Sequence, residues 1–275
     1  MTTDPDEGVT SGNLITTGVR SDRIPVEYRP LLALVTSRLA LLDPDIVAVY
    51  LYGSVATGRA APPASDLDLL VVLNRGEAEA KIQSFANEIS AHHLDLVREV
   101  AIATVVLGEI WNNTTDGLGI RCFIKHYCLP LHGPDLRPEI PPCAASPEVA
   151  WAFNCNIGDS VESAKSQLAA AKSPAEVERV CRASARRVTL ATTSLVSIVG
   201  RTWTTSRDVA AEAMSSLYPQ WARATRKALG WCDSPSQNHN EVQGFLDGFA
   251  SWLAEELEGQ ARTAIQSSQR TFRPW

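Results

Sequence analysis

Residues 50–73 read YLYGSVATGRAAPPASDLDLLVVL, and they predict two strands joined by a polar turn. Residues 46–52 are apolar and rich in β-branched side chains, and this run stops at Gly53 and Ser54. A connection rich in alanine, proline and glycine follows, and residues 66–73 form a second apolar run. The first half of the chain is therefore expected to fold around this strand pair.

Two acidic side chains open the second predicted strand. Asp66 and Asp68 are two residues apart, so their carboxylates project from the same face of the strand. Carboxylates this close repel each other unless a cation lies between them, and Mg²⁺ favours such hard oxygen ligands together with phosphates. Gly53 permits a close backbone approach, and Ser54 offers a hydroxyl and an N–H to a phosphate. The stretch thus predicts a magnesium and phosphate site.

This pattern resembles the signature of the polymerase-β-like nucleotidyltransferases, which have an apolar residue, Gly-Ser, a spacer of about a dozen residues and Asp-apolar-Asp in a strand. The matching residues are Tyr52, Gly53, Ser54, Asp66, Leu67 and Asp68. The resemblance implies transfer of a nucleoside monophosphate, AMP from ATP, to an acceptor. It also implies that Asp66 and Asp68 are catalytic residues that hold Mg²⁺, and that Gly53 and Ser54 bind the nucleotide.

A third strand is predicted over residues 92–106, HHLDLVREVAIATVV, with a bend near Arg98. In the resembling family, a third carboxylate from an adjacent strand completes the metal site or acts as the general base on the acceptor. Asp95 is the predicted catalytic and metal-binding residue here, and Glu99 is the alternative. His92 and His93 are assigned to the end of the preceding helix rather than to catalysis.

The domain organisation follows from periodicity and from proline content. Residues 1–22 lack periodicity and predict a disordered tail, whereas residues 23–140 form the predicted catalytic domain, with helices over 25–42 and 77–91. Five prolines within residues 132–147 mark the boundary.

From residue 146 the apolar residues recur with helical spacing. Five helices are predicted, and they cover 147–170, 175–199, 206–217, 219–229 and 240 to about 266. The predicted fold class is α+β, with a mixed sheet flanked by helices followed by an all-α helical bundle over residues 146–270.

Residues 183–231 resemble the C-terminal helical domain of the aminoglycoside 3''-adenylyltransferases. The matching residues are Thr189, Leu190, Ser206, Asp208, Val209, Ala210, Ala211, Leu217 and Pro219, and HGPDL at 132–136 resembles the Gly-Pro segment that closes the catalytic domain of that family. The resemblance implies that Arg207, which stands where the family has lysine, contacts the nucleotide phosphates. It also implies a small hydroxylated acceptor, of which an aminoglycoside is one. The segment before the Gly-Pro is shorter here than in the family, where it supplies part of the acceptor site.

Charge and cysteine content narrow the function classes. The net charge is −6, and residues 1–145 hold 11 basic and 18 acidic residues, which suits a cationic small molecule better than nucleic acid. Six cysteines without a CxxC pair or an evident zinc spacing are expected to be reduced.

No apolar run reaches membrane-spanning length, so a cytoplasmic protein is predicted. The alternatives are a nucleotidyltransferase toxin that modifies tRNA or protein, and a non-catalytic nucleotide-binding relative; the sequence does not indicate an oligomeric state.

Overall fold

The structure, a computed structural model, describes residues 6–271, with side chains through residue 267, and it divides into two compact units. One unit spans Thr16–Cys143. The other combines the chain up to Ile15 with the chain from Ala144 onward. The second unit therefore includes an N-terminal segment that the sequence does not assign to it.

Residues 6–22 differ from the predicted disordered tail. β1 (Gly8–Val9) and β2 (Ile15–Thr16) form a two-stranded sheet, and the N–H of Ala145 donates to the carbonyl of Asn13 at 2.9 Å. The bond between Asn13 and Ala145 joins residues 132 positions apart in sequence, so local periodicity cannot reveal it. Residues 1–5 of the predicted tail lie outside the described residues.

The Thr16–Cys143 unit is built on a four-stranded sheet of order β5-β4-β3-β6. Its elements are α1 (Arg29–Leu42), β3 (Ile46–Tyr52), α2 (Gly53–Ala56), β4 (Leu67–Leu73), α3 (Glu79–His92), β5 (Val100–Val106), α4 (Leu107–Ile110), α5 (Thr115–Tyr127) and β6 (Leu129–His132). β3 pairs antiparallel with β4 and β6, whereas β4 and β5 run parallel. The predicted mixed sheet flanked by helices is confirmed.

The two faces of the sheet are covered by different helices. Leu67, Leu69 and Val71 of β4 belong to a buried cluster that includes the apolar sides of α1 and α3. Leu70 and Val72 point the other way and belong to a cluster that includes α5. Alternation along β4 therefore places Asp68 on the α5 side of the sheet, at the end where that apolar layer stops.

The third strand is shorter than predicted and begins at Val100 instead of residue 92. After α3 ends at His92, the N–H groups of Leu96 and Val97 donate to the carbonyl of His93 at 3.0 and 2.9 Å and close a turn. Asp95 lies in this turn and is exposed. The apolar alternation of residues 94–97 suggested a strand, but these backbone bonds commit the segment to a turn.

The second unit is helical, as predicted. Its helices are α6 (Pro147–Ala152), α7 (Ile157–Ala170), α8 (Pro174–Gly200), α9 (Arg207–Leu217), α10 (Ala222–Trp231), α11 (His239–Phe245) and α12 (Ser251–Thr271). Their apolar sides share one buried cluster. Within residues 6–271, no helix is both long enough and apolar enough to cross a membrane.

Two of the predicted helices are divided in the structure. The helix expected over 147–170 is interrupted after Ala152, because the side-chain amide of buried Asn154 donates to the Leu190 carbonyl and to the Ser194 hydroxyl at 3.3 and 2.8 Å. The helix expected from residue 240 contains a π-helical turn at Leu246–Ala250.

Candidate active site

The two aspartates lie where β4 begins, next to the end of β3. Asp68 pairs with Tyr52 of β3 and with Ala101 of β5, so it stands in the middle of the sheet. The Tyr52 ring packs edge-on against Phe123, with ring centroids 5.0 Å apart. Burial, followed by the nearby carboxylates of Asp68 and Asp66, raises the pKa of the Tyr52 phenol, which therefore stays protonated. The aromatic ring of Tyr52 thus lies beside Asp68 on the sheet.

Gly53 and Asp68 are in direct contact. Gly53 begins α2 with φ +74°, a backbone conformation that favours glycine, and a Cβ there would lie 2.2 Å from Oδ2 of Asp68. Ser54 follows in the same turn and is half-buried, and its carbonyl accepts from the N–H of Arg59 at 2.9 Å. The structure thereby brings together Gly53, Ser54 and Asp68, as the sequence predicts.

Replacing Gly53 by alanine tests this contact. We expect Gly53→Ala to lower the free energy of unfolding by about 1–2 kcal/mol, the usual cost of positive φ for a residue with a Cβ, and to displace the Asp68 carboxylate. Chemical denaturation measures the stability. Gly108→Ala is the matched control, because no atom lies within 4 Å of the Cβ it would add. Equal stability of the two variants would contradict the close approach of Gly53 to Asp68.

Asp66 is held by a cation from the chain itself. The Arg98 guanidinium donates from Nε and Nη2 to the two carboxylate oxygens of Asp66, at 2.8 and 2.5 Å. The Asp66 side chain is only 11% exposed, so the ion pair offsets much of the cost of burying its charge. The sequence indicated only a bend near Arg98. It could not reveal the ion pair with Asp66, because the two residues are 32 positions apart.

The parallel register of β4 and β5 decides which third carboxylate lies near the pair. Leu67 pairs with Val100, and its N–H donates to the Glu99 carbonyl at 2.9 Å. One step back in this register, Glu99 lies beside Asp66 and shares the face of Asp66 and Asp68. Asp95 lies four residues earlier, in the exposed turn, and has no position in the ladder. The strand context that made Asp95 the first choice is therefore absent, and the register favours Glu99.

Comparison with known proteins assigns this unit to a family. Residues 35–115 match the family model described as nucleotidyltransferase domain, and this range contains the Gly-Ser turn and both aspartates. Residues 35–115 form a nucleotidyltransferase domain. The predicted recognition of this family is confirmed. No curated protein matches the chain at a significant level.

Solved structures extend the likeness beyond the nucleotidyltransferase domain. One that matches is the spectinomycin adenyltransferase AAD(9) from Enterococcus faecialis, described with ATP and spectinomycin. The match has a TM-score of 0.55 and 12% identity, and it covers 84% of this chain and 99% of the other. At this identity the match shows a shared fold, and it confirms the predicted order of a nucleotidyltransferase domain followed by helices.

The acidic residues of the nucleotidyltransferase domain suit a Mg²⁺ ion. Asp66 and Asp68 supply hard oxygen donors on one face, and the lack of a Cβ at Gly53 lets the Asp68 carboxylate lie directly against that turn. Among the side chains that the structure describes, no three carboxylates lie close enough together to hold one ion jointly. The donor set fits a metal held by the Asp66 and Asp68 pair, because each Asp66 oxygen that accepts from Arg98 keeps a second lone pair.

Arg207 lies in the helical unit, where it is the first residue of α9 and half-buried. The helix begins behind Ser206, whose hydroxyl accepts from the N–H of Val209 at 3.4 Å. The predicted contact of Arg207 with nucleotide phosphates stays a prediction.

Proposed function

We propose that this protein is a magnesium-dependent nucleotidyltransferase that transfers AMP from ATP to a hydroxyl of a small cationic molecule. The observation that carries the proposal is the Asp66 and Asp68 pair at the start of β4, with Asp68 packed against Gly53 of the Gly53 and Ser54 turn, inside the nucleotidyltransferase domain. Both carboxylates, the glycine and the serine that this chemistry requires are present in one place. A sensor that had lost catalysis would have no need to keep both acids.

Each residue of the site has a defined role in the proposed reaction. Asp66 and Asp68 would hold the metal, and the Ser54 hydroxyl with its backbone N–H binds the terminal phosphates. A Mg²⁺ ion held there would supply positive charge that neutralises the phosphates. Glu99 accepts the proton of the acceptor hydroxyl, whose oxygen forms a bond to the α-phosphorus while the bond between the α-phosphorus and the bridging oxygen breaks. Pyrophosphate is the leaving group, and Arg207 is a further proposed phosphate contact.

Charge and fold together favour a small acceptor. The structural neighbour is described with ATP and spectinomycin, and its fold spans both the nucleotidyltransferase domain and the helices of this chain. The acidic excess of residues 1–145 would repel RNA and attract an amine-bearing molecule. An aminoglycoside or aminocyclitol is the acceptor class that combines hydroxyls with positive charge.

Mass spectrometry of product mixtures tests the proposal. The protein is incubated with MgCl₂, each nucleoside triphosphate in turn, and a panel of aminoglycosides and aminocyclitols, with tRNA and protein in separate reactions. We expect one acceptor to gain a mass of AMP and to release pyrophosphate with ATP. Labelled tRNA or protein with unmodified small molecules would indicate a macromolecular substrate, and no pyrophosphate release with any acceptor would indicate a nucleotide sensor.

Arg98 gives a second test through metal-dependent stability. We expect Arg98→Gln to lower the free energy of unfolding by about 1 kcal/mol without metal, because Asp66 loses its counter-ion. Added Mg²⁺ and ATP should restore more stability to this variant than to the parent, since the metal supplies the missing positive charge. Thermal unfolding with and without both ligands measures the difference. Arg38→Gln, which breaks an exposed pair with Glu88, is the matched control and should respond like the parent.

A further inference from the structure

A group of metal-binding side chains lies outside the carboxylate site. Cys122 and His126 are four residues apart on α5, so they stand one turn apart on the same side of the helix. Cys143, the last residue of the same unit, returns to this side. One ligand atom from each of the three side chains lies within 4.8 Å of the others. Among the side chains that the structure describes, no other such group of cysteine, histidine or acidic residues occurs.

We propose that Cys122, His126 and Cys143 bind a zinc ion. Two thiolates and one imidazole are a typical donor set for zinc, and three protein ligands leave a fourth position for water. With Zn–S near 2.3 Å and Zn–N near 2.0–2.1 Å, tetrahedral ligand atoms stand roughly 3.5–3.8 Å apart. The three side chains therefore need to move by only about 1 Å to close around the ion.

A hydrogen bond from the backbone sets the tautomer of the His126 ring. The backbone N–H of Cys143 donates to Nε2 of His126 at 2.8 Å, so Nε2 carries a lone pair and the ring proton is on Nδ1. If Nε2 coordinates the ion, its lone pair binds the metal and the hydrogen bond from the Cys143 N–H is lost. The Thr17 hydroxyl donates to the His126 carbonyl and holds the end of the helix in place.

The burial of the two cysteines differs in a way that suits a metal site. Cys122 is fully buried, whereas Cys143 and His126 are half-buried, so an ion can reach the group from the Cys143 side. None of the six cysteines forms a disulfide in the structure. The bound ion would tie the segment through which the chain leaves the nucleotidyltransferase unit to α5.

Metal titration of the full chain tests the proposal. The protein is stripped with a chelator under reducing conditions, and Co²⁺ is added as a spectroscopic probe before Zn²⁺ is used to displace it. We expect one equivalent of metal per chain, a thiolate-to-cobalt charge-transfer band, and a higher unfolding temperature with Zn²⁺. Cys143→Ser and His126→Ala should each weaken the affinity by at least about 100-fold.

Control variants separate loss of a ligand from loss of the fold. Cys155→Ser replaces another half-buried cysteine outside the group and should bind metal like the parent. Circular dichroism verifies folding, and Cys143→Ser is the informative variant if His126→Ala does not fold. Absence of the charge-transfer band in the parent, unchanged affinity in Cys143→Ser, or formation of a Cys122 to Cys143 disulfide in place of metal uptake would each overturn the proposal.

Discussion

Asp68→Asn is expected to lower the rate of nucleotide transfer by at least about 1000-fold, because the amide cannot hold the metal that offsets phosphate charge. Asparagine keeps the shape of aspartate, so it preserves the packing against Gly53. Stability should therefore change little. Steady-state measurement of pyrophosphate release gives the rate, and chemical denaturation gives the stability.

The control for this variant is Asp116→Asn. Asp116 is an exposed acid in the first turn of α5, and its replacement should leave transfer within about twofold of the parent. A binding measurement with Mg²⁺ and ATP adds a second readout, since loss of a metal ligand weakens the metal-dependent part of nucleotide binding. Full activity in Asp68→Asn would disprove the assigned role of the carboxylate pair.

Glu99→Gln and Asp95→Asn should have opposite outcomes. Glu99 lies in register with Asp66 on the face of the aspartates, whereas Asp95 lies in the exposed turn before β5. If Glu99 accepts the acceptor proton, Glu99→Gln should lower transfer by about 100- to 10,000-fold. Asp95→Asn should leave transfer within about twofold, because Asp95 is exposed and lies outside the paired residues of β4 and β5.

The pair of variants forms its own control, because both remove one negative charge from the same loop. The rate of pyrophosphate release with a saturating acceptor distinguishes them. A large loss in Asp95→Asn together with a normal rate in Glu99→Gln would reverse the assignment. The turn at residues 93–97 would then have to rearrange when substrate binds.

Strands whose sequence is apolar throughout could be predicted closely. β3 covers residues 46–52 as expected, and β4 begins one residue after its predicted start. The third strand could not be predicted in full, because the alternation of residues 94–97 fits both a strand and the hydrogen-bonded turn at His93. Because residues 94–97 were interpreted as a strand, the sequence favoured Asp95 over Glu99 as the third carboxylate.

Contacts between residues far apart in sequence could not be predicted from the periodicity of the apolar residues. The break after Ala152 depends on Asn154 reaching α8, and the Arg98 pair with Asp66 joins two loops. The zinc ligands were missed for the same reason. Cys122 and His126 have the spacing of one helical turn, but Cys143 joins them only in the folded chain, so the sequence alone suggested no cluster.

The loop that leads into β5 affects the site only through the register between β4 and β5. Side chains alternate between the faces of a sheet, so a shift of β5 by one residue against β4 would turn Glu99 away from Asp66 and toward the opposite layer. Most substitutions at the exposed positions of that loop would leave the register intact. Directed evolution of this protein should therefore tolerate sequence diversity at the exposed positions 94 and 95, while it should retain the fully buried Val97.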